Sequence, residues 1–309
     1  MNIVISGIHY PITAALEYIV RAFKRRMDCT VISVGPFTGT FIPYGLVGMN
    51  LPESYCFKPD IILPEGALRI GNCPISYIET QLPEEFKPDL WLDVNAGFYI
   101  DGKPESGIRA TYLTDPHVLR QLYNSIKHNY DYIFCPQTPY AGEKEFYLPY
   151  AYDMEWHSPI ETEKLYDVAI VGNIYPQRVD LINQLKNMGK RTYFQLGIAK
   201  ENAKLIYNQS ITGINWSSMQ DLTARVFELI GLGIVPILNR VPDLSGLFNE
   251  GENYLGFDNK EQAIIQVELA LNDENIRNTI IKNNTKIRET GRHTWDARVQ
   301  TLLEVCKLI

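Results

Sequence analysis

The stretch from Arg225 to Leu238, RVFELIGLGIVPIL, decides how the chain is read. Residues from about Leu222 to Leu232 keep apolar side chains at helical spacing. Ile234–Leu238 is then an uninterrupted apolar run rich in β-branched residues, which suits a buried strand. Gly231 and Gly233 are expected to end the helix and let the strand start close behind it. Helix, glycine turn and buried strand in that order make one unit of an α/β fold with parallel strands. Arg225 and Glu228 are three residues apart, so they share a helix face. Val226, Phe227, Leu229 and Ile230 flank that face, which argues against a simple surface ion pair.

Outward from this stretch the same grammar repeats. Tyr166–Val171 (YDVAIV) reads as a strand closed by Gly172-Asn173. A helix is predicted from about Gln177 to Met188, with Val179, Ile182 and Leu185 on one face and Gly189 as its stop. Arg191–Leu196 is the next strand. Helices follow over 261–271, 274–290 and about Thr294–Leu308. The first half opens with a strand, Asn2–Ser6, a turn at Gly7–Pro11 and a helix over Ile12–Arg26. Strands are predicted at Cys29–Val34, Asp60–Leu63, Leu90–Val94, Ala110–Leu113 and Tyr132–Cys135, with a long Gly/Pro-rich loop over 35–57. Residues 153–165 have no periodicity and are rich in charge, so the boundary falls there. This gives an N-terminal domain over 1–155, a C-terminal domain over 165–290 and a helical tail over 294–309.

The 309 residues suffice for two such cores. Lys+Arg 29 against Asp+Glu 36 gives −7, which argues against nucleic acid as the partner. No uncharged apolar run approaches ~18 residues, so no transmembrane segment is expected. The N-terminus runs straight into a strand pattern, so a signal peptide is not expected either. The five cysteines (Cys29, Cys56, Cys73, Cys135, Cys306) are widely spaced and form no CxxC. They read as reduced thiols of a cytoplasmic protein.

In parallel sheets ligands sit beyond the carboxyl ends of the strands. After the first strand come Gly7, His9 and Tyr10, expected to offer backbone N–H groups to an anion or an acceptor hydroxyl. After another come Asp115 and His117, a carboxylate and an imidazole able to orient a hydroxyl or move a proton. Pro116 is expected to hold Asp115 extended. In the second half, the backbone N–H groups at Gly172 and Asn173, with Arg178 in the first turn of the following helix, are expected to make an anion site. Glu228 can accept both hydroxyls of a ribose, with Arg225 beside it. Arg178→Ala is expected to slow turnover more than it disturbs folding. No Walker A, GxSxG, HExxH or zinc pattern is present, so no metal ligands are assigned.

The ordered series YDVAIVGN with Arg178, then RVFELIGLGIVPIL, then VPDLSGLF and NYLGF, then His293–Arg298 (HTWDAR), resembles the CgeB-like (spore-maturation type) glycosyltransferases, a branch of the GT-B superfamily. Residues 131–153 share the likeness; residues 1–110 match in layout. The resemblance implies a GT-B fold, with two Rossmann-like doubly wound domains facing across a cleft and a last helix crossing back to the N-terminal domain. It implies transfer of a sugar from a nucleotide-diphosphate donor, a UDP-sugar being commonest, to an acceptor hydroxyl on a glycan, protein or small molecule. No metal or other cofactor is implied, and retention is the expected stereochemistry. By the same resemblance Glu228 binds the donor ribose, Arg178 the diphosphate with Arg225 as helper, and Asp115 and His117 lie near the transferred sugar. Related retaining enzymes often carry a second glutamate eight positions before the ribose glutamate; here that position is Gln220. A nucleotide-sugar epimerase and a catalytically silent nucleotide-sugar-binding protein are the alternative readings. A transferase acting on nucleobases is weaker, given the net charge.

Overall fold

The computed structural model describes residues 1–9, 14–37, 40–41, 49–50, 57–63, 73–95, 100–196, 198 and 200–309. These divide into two compact units. The second spans Tyr150–Thr294; the first takes the residues before it together with Trp295–Ile309.

In the first unit, β1 (Asn2–Ser6) leads through α1 (Ala14–Lys24) to β2 (Thr30–Pro36). A small antiparallel pair, β3 (Thr40–Phe41) and β4 (Met49–Asn50), lies within the segment expected to be all loop. Then come β5 (Ile61–Leu63), α2 (Ile75–Glu79), β6 (Leu90–Asn95), β7 (Ile108–Leu113), α3 (Pro116–Ile126), β8 (Tyr132–Cys135) and β9 (Phe146–Tyr147). The sheet runs β5-β2-β1-β6-β7-β8-β9, with every pair parallel. Strand order turns back at β1, so its switch point lies between β1 and β6.

The second unit holds β10 (Tyr166–Val171), α4 (Pro176–Asn187), β11 (Thr192–Gln195), α5 (Lys200–Asn208), β12 (Ser210–Asn215), α6 (Ala224–Leu232) and β13 (Val235–Asn239). It continues with α7 (Leu244–Leu247), β14 (Leu255–Phe257), α8 (Lys260–Asn272) and α9 (Glu274–Thr290). Its sheet runs β11-β10-β12-β13-β14, again all parallel, with the switch point between β10 and β12. Val168, Ile170, Ile214 and Ile237 from the strands meet Leu181, Leu185 and Val267 from the helices in its core. These parallel strands are covered on their faces, hence their near-continuous apolar runs.

The last helix, α10 (Trp295–Val305), belongs to the first unit. It packs along α1, and Arg25 grips Asp296 with two hydrogen bonds of 2.8 and 2.6 Å.

Two local expectations are corrected. Asp115 is not extended: it adopts φ 46°, ψ 50° and opens α3 from the left-handed region. Asp is among the few non-glycine residues that tolerate this conformation. Gly231 does not end its helix: α6 runs through it to Leu232, and Gly233, at φ 70°, is the cap.

Candidate functional site

At the switch point of the second unit, Arg178 ties two strand exits together. Its Nη1 donates to the Asn173 carbonyl beyond β10 (3.0 Å). Its Nε and Nη2 both donate to the Trp216 carbonyl beyond β12 (2.9 and 2.7 Å). The guanidinium lies over the Tyr175 ring, 4.9 Å from its centroid, and the residue is buried. Burial pulls its pKa below the usual arginine value, but an arginine remains charged. Expected from sequence as a ligand for an anion, Arg178 is in the structure a clamp between two strand exits. Arg178→Ala would strip two partly buried carbonyls of their donors, so it would disturb folding.

The expected N–H cradle at Gly172 is also corrected. Gly172 donates its N–H to the Gln195 carbonyl of β11 at 3.1 Å. With φ +144° and no side chain, it lets other groups approach closely; it does not supply a donor. Asn173 Nδ2 donates to the Tyr175 hydroxyl at 3.2 Å. Pro176 opens α4 without an N–H, and the N–H groups of Arg178 and Val179 both go to the Tyr175 carbonyl. Helix and charge still direct positive potential to this end of the sheet.

The neighbouring exits are polar and buried. Beyond β12, the Ser217 N–H donates to Asn239 Oδ1 at the end of β13 (2.8 Å), and Asn239 Nδ2 donates back to Ser217 Oγ (3.3 Å). Ser217 Oγ also accepts the N–H of Asp221 at 3.1 Å. Between them Gln220 sits at φ 57°, a left-handed conformation costly for its side chain.

On α6, Glu228 is 5% exposed. Its Oε2 meets Arg225 Nη1 at 2.6 Å, and its Oε1 lies 3.9 Å from His157 Nε2. Arg225 is also stacked over the Tyr207 ring at 5.4 Å, and the Tyr207 hydroxyl accepts the N–H of Val171, the last residue of β10. A carboxylate this buried needs partners, and α6 brings a permanent cation to it from one turn away. The buried face expected from sequence is present, and with it an intrahelical Arg225–Glu228 pair, which the sequence argued against as a surface pair. His157, Asp153 and Tyr207 were not singled out from the sequence. His157 lies in the aperiodic linker and Tyr207 in a helix that has weak sequence signals.

In the first unit, Asp115 is exposed at the carboxyl end of β7, and its carbonyl accepts the N–H groups of Val118 and Leu119. Its side chain makes no cap hydrogen bond. His117, in the first turn of α3, lies against Tyr140 at 5.7 Å, and its Nδ1 is buried without a hydrogen-bond partner among the described residues. At the switch point of this sheet, the N–H groups expected of Gly7 and His9 are already used. They donate to Val34 and Pro36 carbonyls at 3.1 and 2.9 Å, extending the β1–β2 ladder. His9 is fully buried; its Nδ1–H donates to the Gly7 carbonyl at 3.0 Å, and its Nε2 has no partner among the described residues. Tyr10 lies outside the described residues. Among the described residues no group of three or more His, Cys, Asp or Glu is placed to hold a metal ion. Among the described residues, Cys29, Cys73, Cys135 and Cys306 form no disulfide with one another. No described helix is long and apolar enough to cross a membrane.

Residues 154–304, most of the second unit with the start of the tail, match a family model described as Glycosyl transferase-like. No curated protein matches the sequence. Among solved structures, sucrose-phosphate synthase from Thermosynechococcus elongatus superposes with TM-score 0.64 at 11% identity, over 100% of this chain and 98% of that one. Anabaena HepE in complex with UDP-glucose gives 0.62 at 12% identity, over all of both chains. T4 phage BGT in complex with UDP and Mn2+ gives 0.58 at 13% identity, over 99% of each. At such identities the likeness concerns the fold. The described residues have the α/β GT-B fold of these structures, and residues 154–304 are what matches the glycosyl transferase-like model.

Proposed function

We propose that the chain is a hexosyltransferase that moves a sugar from a nucleoside-diphosphate donor, a UDP-sugar, to an acceptor hydroxyl. The order of its motifs, like that of CgeB-like glycosyltransferases, supports this reading, as does the presence of UDP or UDP-glucose in structures of the same fold. One observation carries it. Glu228 is a buried carboxylate beside the switch point of a parallel sheet, with Arg225 on one oxygen and the other left with acceptor capacity. Two vicinal hydroxyls of a ribose are the ligand groups such a carboxylate accepts. Arg178, clamped between the exits of β10 and β12, supplies positive charge for a diphosphate. As the glycosidic bond breaks, negative charge grows on that leaving group, and fixed charges stabilise it without reorganising. In this reading the reaction needs no metal, proceeds with retention and takes place in the cytoplasm. Asp115 and His117 are the acceptor-side residues, and the acceptor is a glycan, a protein or a small molecule.

Thermal unfolding in the presence of UDP, GDP, ADP, CMP and dTDP compounds, with EDTA, tests the donor class. A ligand of the native state raises its stability by RT ln(1 + [L]/Kd). A rise with UDP compounds that EDTA leaves unchanged is expected. Glu228→Gln should then weaken UDP binding by about 1.5–3 kcal/mol, the size of a hydrogen bond to a charged group, with the fold retained. An unaltered dissociation constant would remove Glu228 from the ribose site.

A further inference from the structure

The segment before the second sheet forms a turn whose side chains and backbone lock each other. Asp153 Oδ1 accepts the N–H groups of Glu155 and Trp156 at 3.0 and 3.2 Å. The Asp153 carbonyl accepts the N–H of His157 at 2.8 Å. The Asp153 N–H in turn donates to His157 Nδ1 at 3.0 Å. A ring nitrogen that accepts an N–H carries no proton, so in the neutral imidazole the proton sits on Nε2. That nitrogen is the one facing Glu228 Oε1.

Helix α6 is shaped to receive this turn. Gly231 is three residues beyond Glu228, on the same face. A Cβ at Gly231 would come within 2.8 Å of the Tyr152 ring and 2.9 Å of the His157 carbonyl oxygen. The glycine lets the helix lie directly on the turn that carries His157. His157 and Glu228 are both buried, with side chains 9% and 6% exposed.

We propose that His157 is a positioning residue for Glu228: the Asp153–His157 turn aims a fixed Nε2–H at Oε1 while Arg225 holds Oε2, so the carboxylate is oriented for a ligand's vicinal hydroxyls. At 3.9 Å the His157 contact orients the carboxylate electrostatically and occupies none of its lone pairs. Acceptor capacity is thus left on the oxygen that Arg225 does not hold. This inference rests on the reading that Glu228 receives the donor ribose.

The test is titration of UDP and 2′-deoxy-UDP into the wild type, His157→Asn and His157→Gln, with folding followed by circular dichroism. The Asn amide oxygen can replace Nδ1 as acceptor for the Asp153 N–H, but Asn supplies nothing at Nε2. The Gln amide nitrogen reaches the Nε2 position and restores a donor towards Glu228. The wild type should prefer UDP to 2′-deoxy-UDP. His157→Asn should bind UDP about tenfold more weakly, the loss of one such polar interaction, and lose most of that preference. His157→Gln should stay within about threefold of the wild type. If the wild type does not bind UDP, or binds both nucleotides equally, the ribose reading of Glu228 falls and this inference with it. If the wild type prefers UDP and His157→Asn keeps both affinity and preference, the ribose reading stands and the positioning role is overturned. Should His157→Asn fail to fold, His157→Gln decides: a loss of tenfold or more in a folded variant contradicts donation from the Nε2 position.

Discussion

His9 shows what one buried side chain does to the whole. It is fully buried, and burial pushes its pKa down to about 4, the Gly7 hydrogen bond and Asp60 opposing and Lys24 assisting. The unfolded chain takes up this proton near pH 6.5, the folded chain only near pH 4. Between those values the unfolded state binds more protons, so stability falls as pH falls. Between pH 7 and 4.5 the loss should be about 2–3 kcal/mol from this residue alone. Urea unfolding of the wild type and His9→Gln at both pH values isolates it. The wild type should lose about that much more than the variant; equal losses would show that His9 is not held neutral. The sequence placed His9 after the first strand, but its role there is set by partners it cannot display. The same holds for Asp115, whose left-handed backbone runs against the local preference before a proline.

Elements were legible where burial is apolar and periodic, and illegible where polar groups find partners in the fold. β10, β13 and α6 stand out as unbroken apolar runs or helical faces. β12, Ser210–Asn215 (SITGIN), does not, because its Ser, Thr, Gly and Asn read as a turn. In the structure Ser210 Oγ donates to the Ile206 carbonyl and Thr212 Oγ1 to the Asp167 carbonyl, so these polar groups are buried at little cost. β14, only Leu255–Phe257, is too short to show a period. The elements β10 and α6, with Arg178 on α4, were therefore legible, while the strand β12 was not. Gly231 is a matter of helix packing: inside α6, helix propensity favours alanine by about 1 kcal/mol. The Cβ would, however, press into Tyr152 and the His157 carbonyl, and overpacking costs about 1–3 kcal/mol. Gly231→Ala should lower unfolding free energy by up to about 2 kcal/mol and, on the proposed function, weaken UDP binding with it. A stabilised variant with unchanged UDP affinity would mean that α6 does not rest on the turn.

At the scale of the molecule, the chain leaves its first unit at Pro149 and returns to it at Trp295. The first unit is therefore incomplete without Trp295–Ile309, and the packing of that segment shows why. Trp295 is 1% exposed and stands edge-on to the fully buried Tyr112 of β7, with ring centroids 5.7 Å apart. Arg298 Nε donates to the Pro149 carbonyl at 2.8 Å, so the tail also pins the point where the chain departs. Removing a buried tryptophan side chain costs about 3–5 kcal/mol. A domain is stable by only about 5–15 kcal/mol, so Trp295→Ala should consume much of the first unit's margin. The second unit, whose core is made by Val168, Ile170, Leu181 and their neighbours, contains none of those contacts. Hydrogen exchange read by mass spectrometry should show core amides of β1, β6 and β7 opening about a hundredfold or more faster in Trp295→Ala, since 1.4 kcal/mol is tenfold. Amides of β10, β12 and β13 should keep their wild-type rates. If both sheets accelerate alike, the two units open as one cooperative body, and the tail's contribution cannot be assigned to the first unit alone.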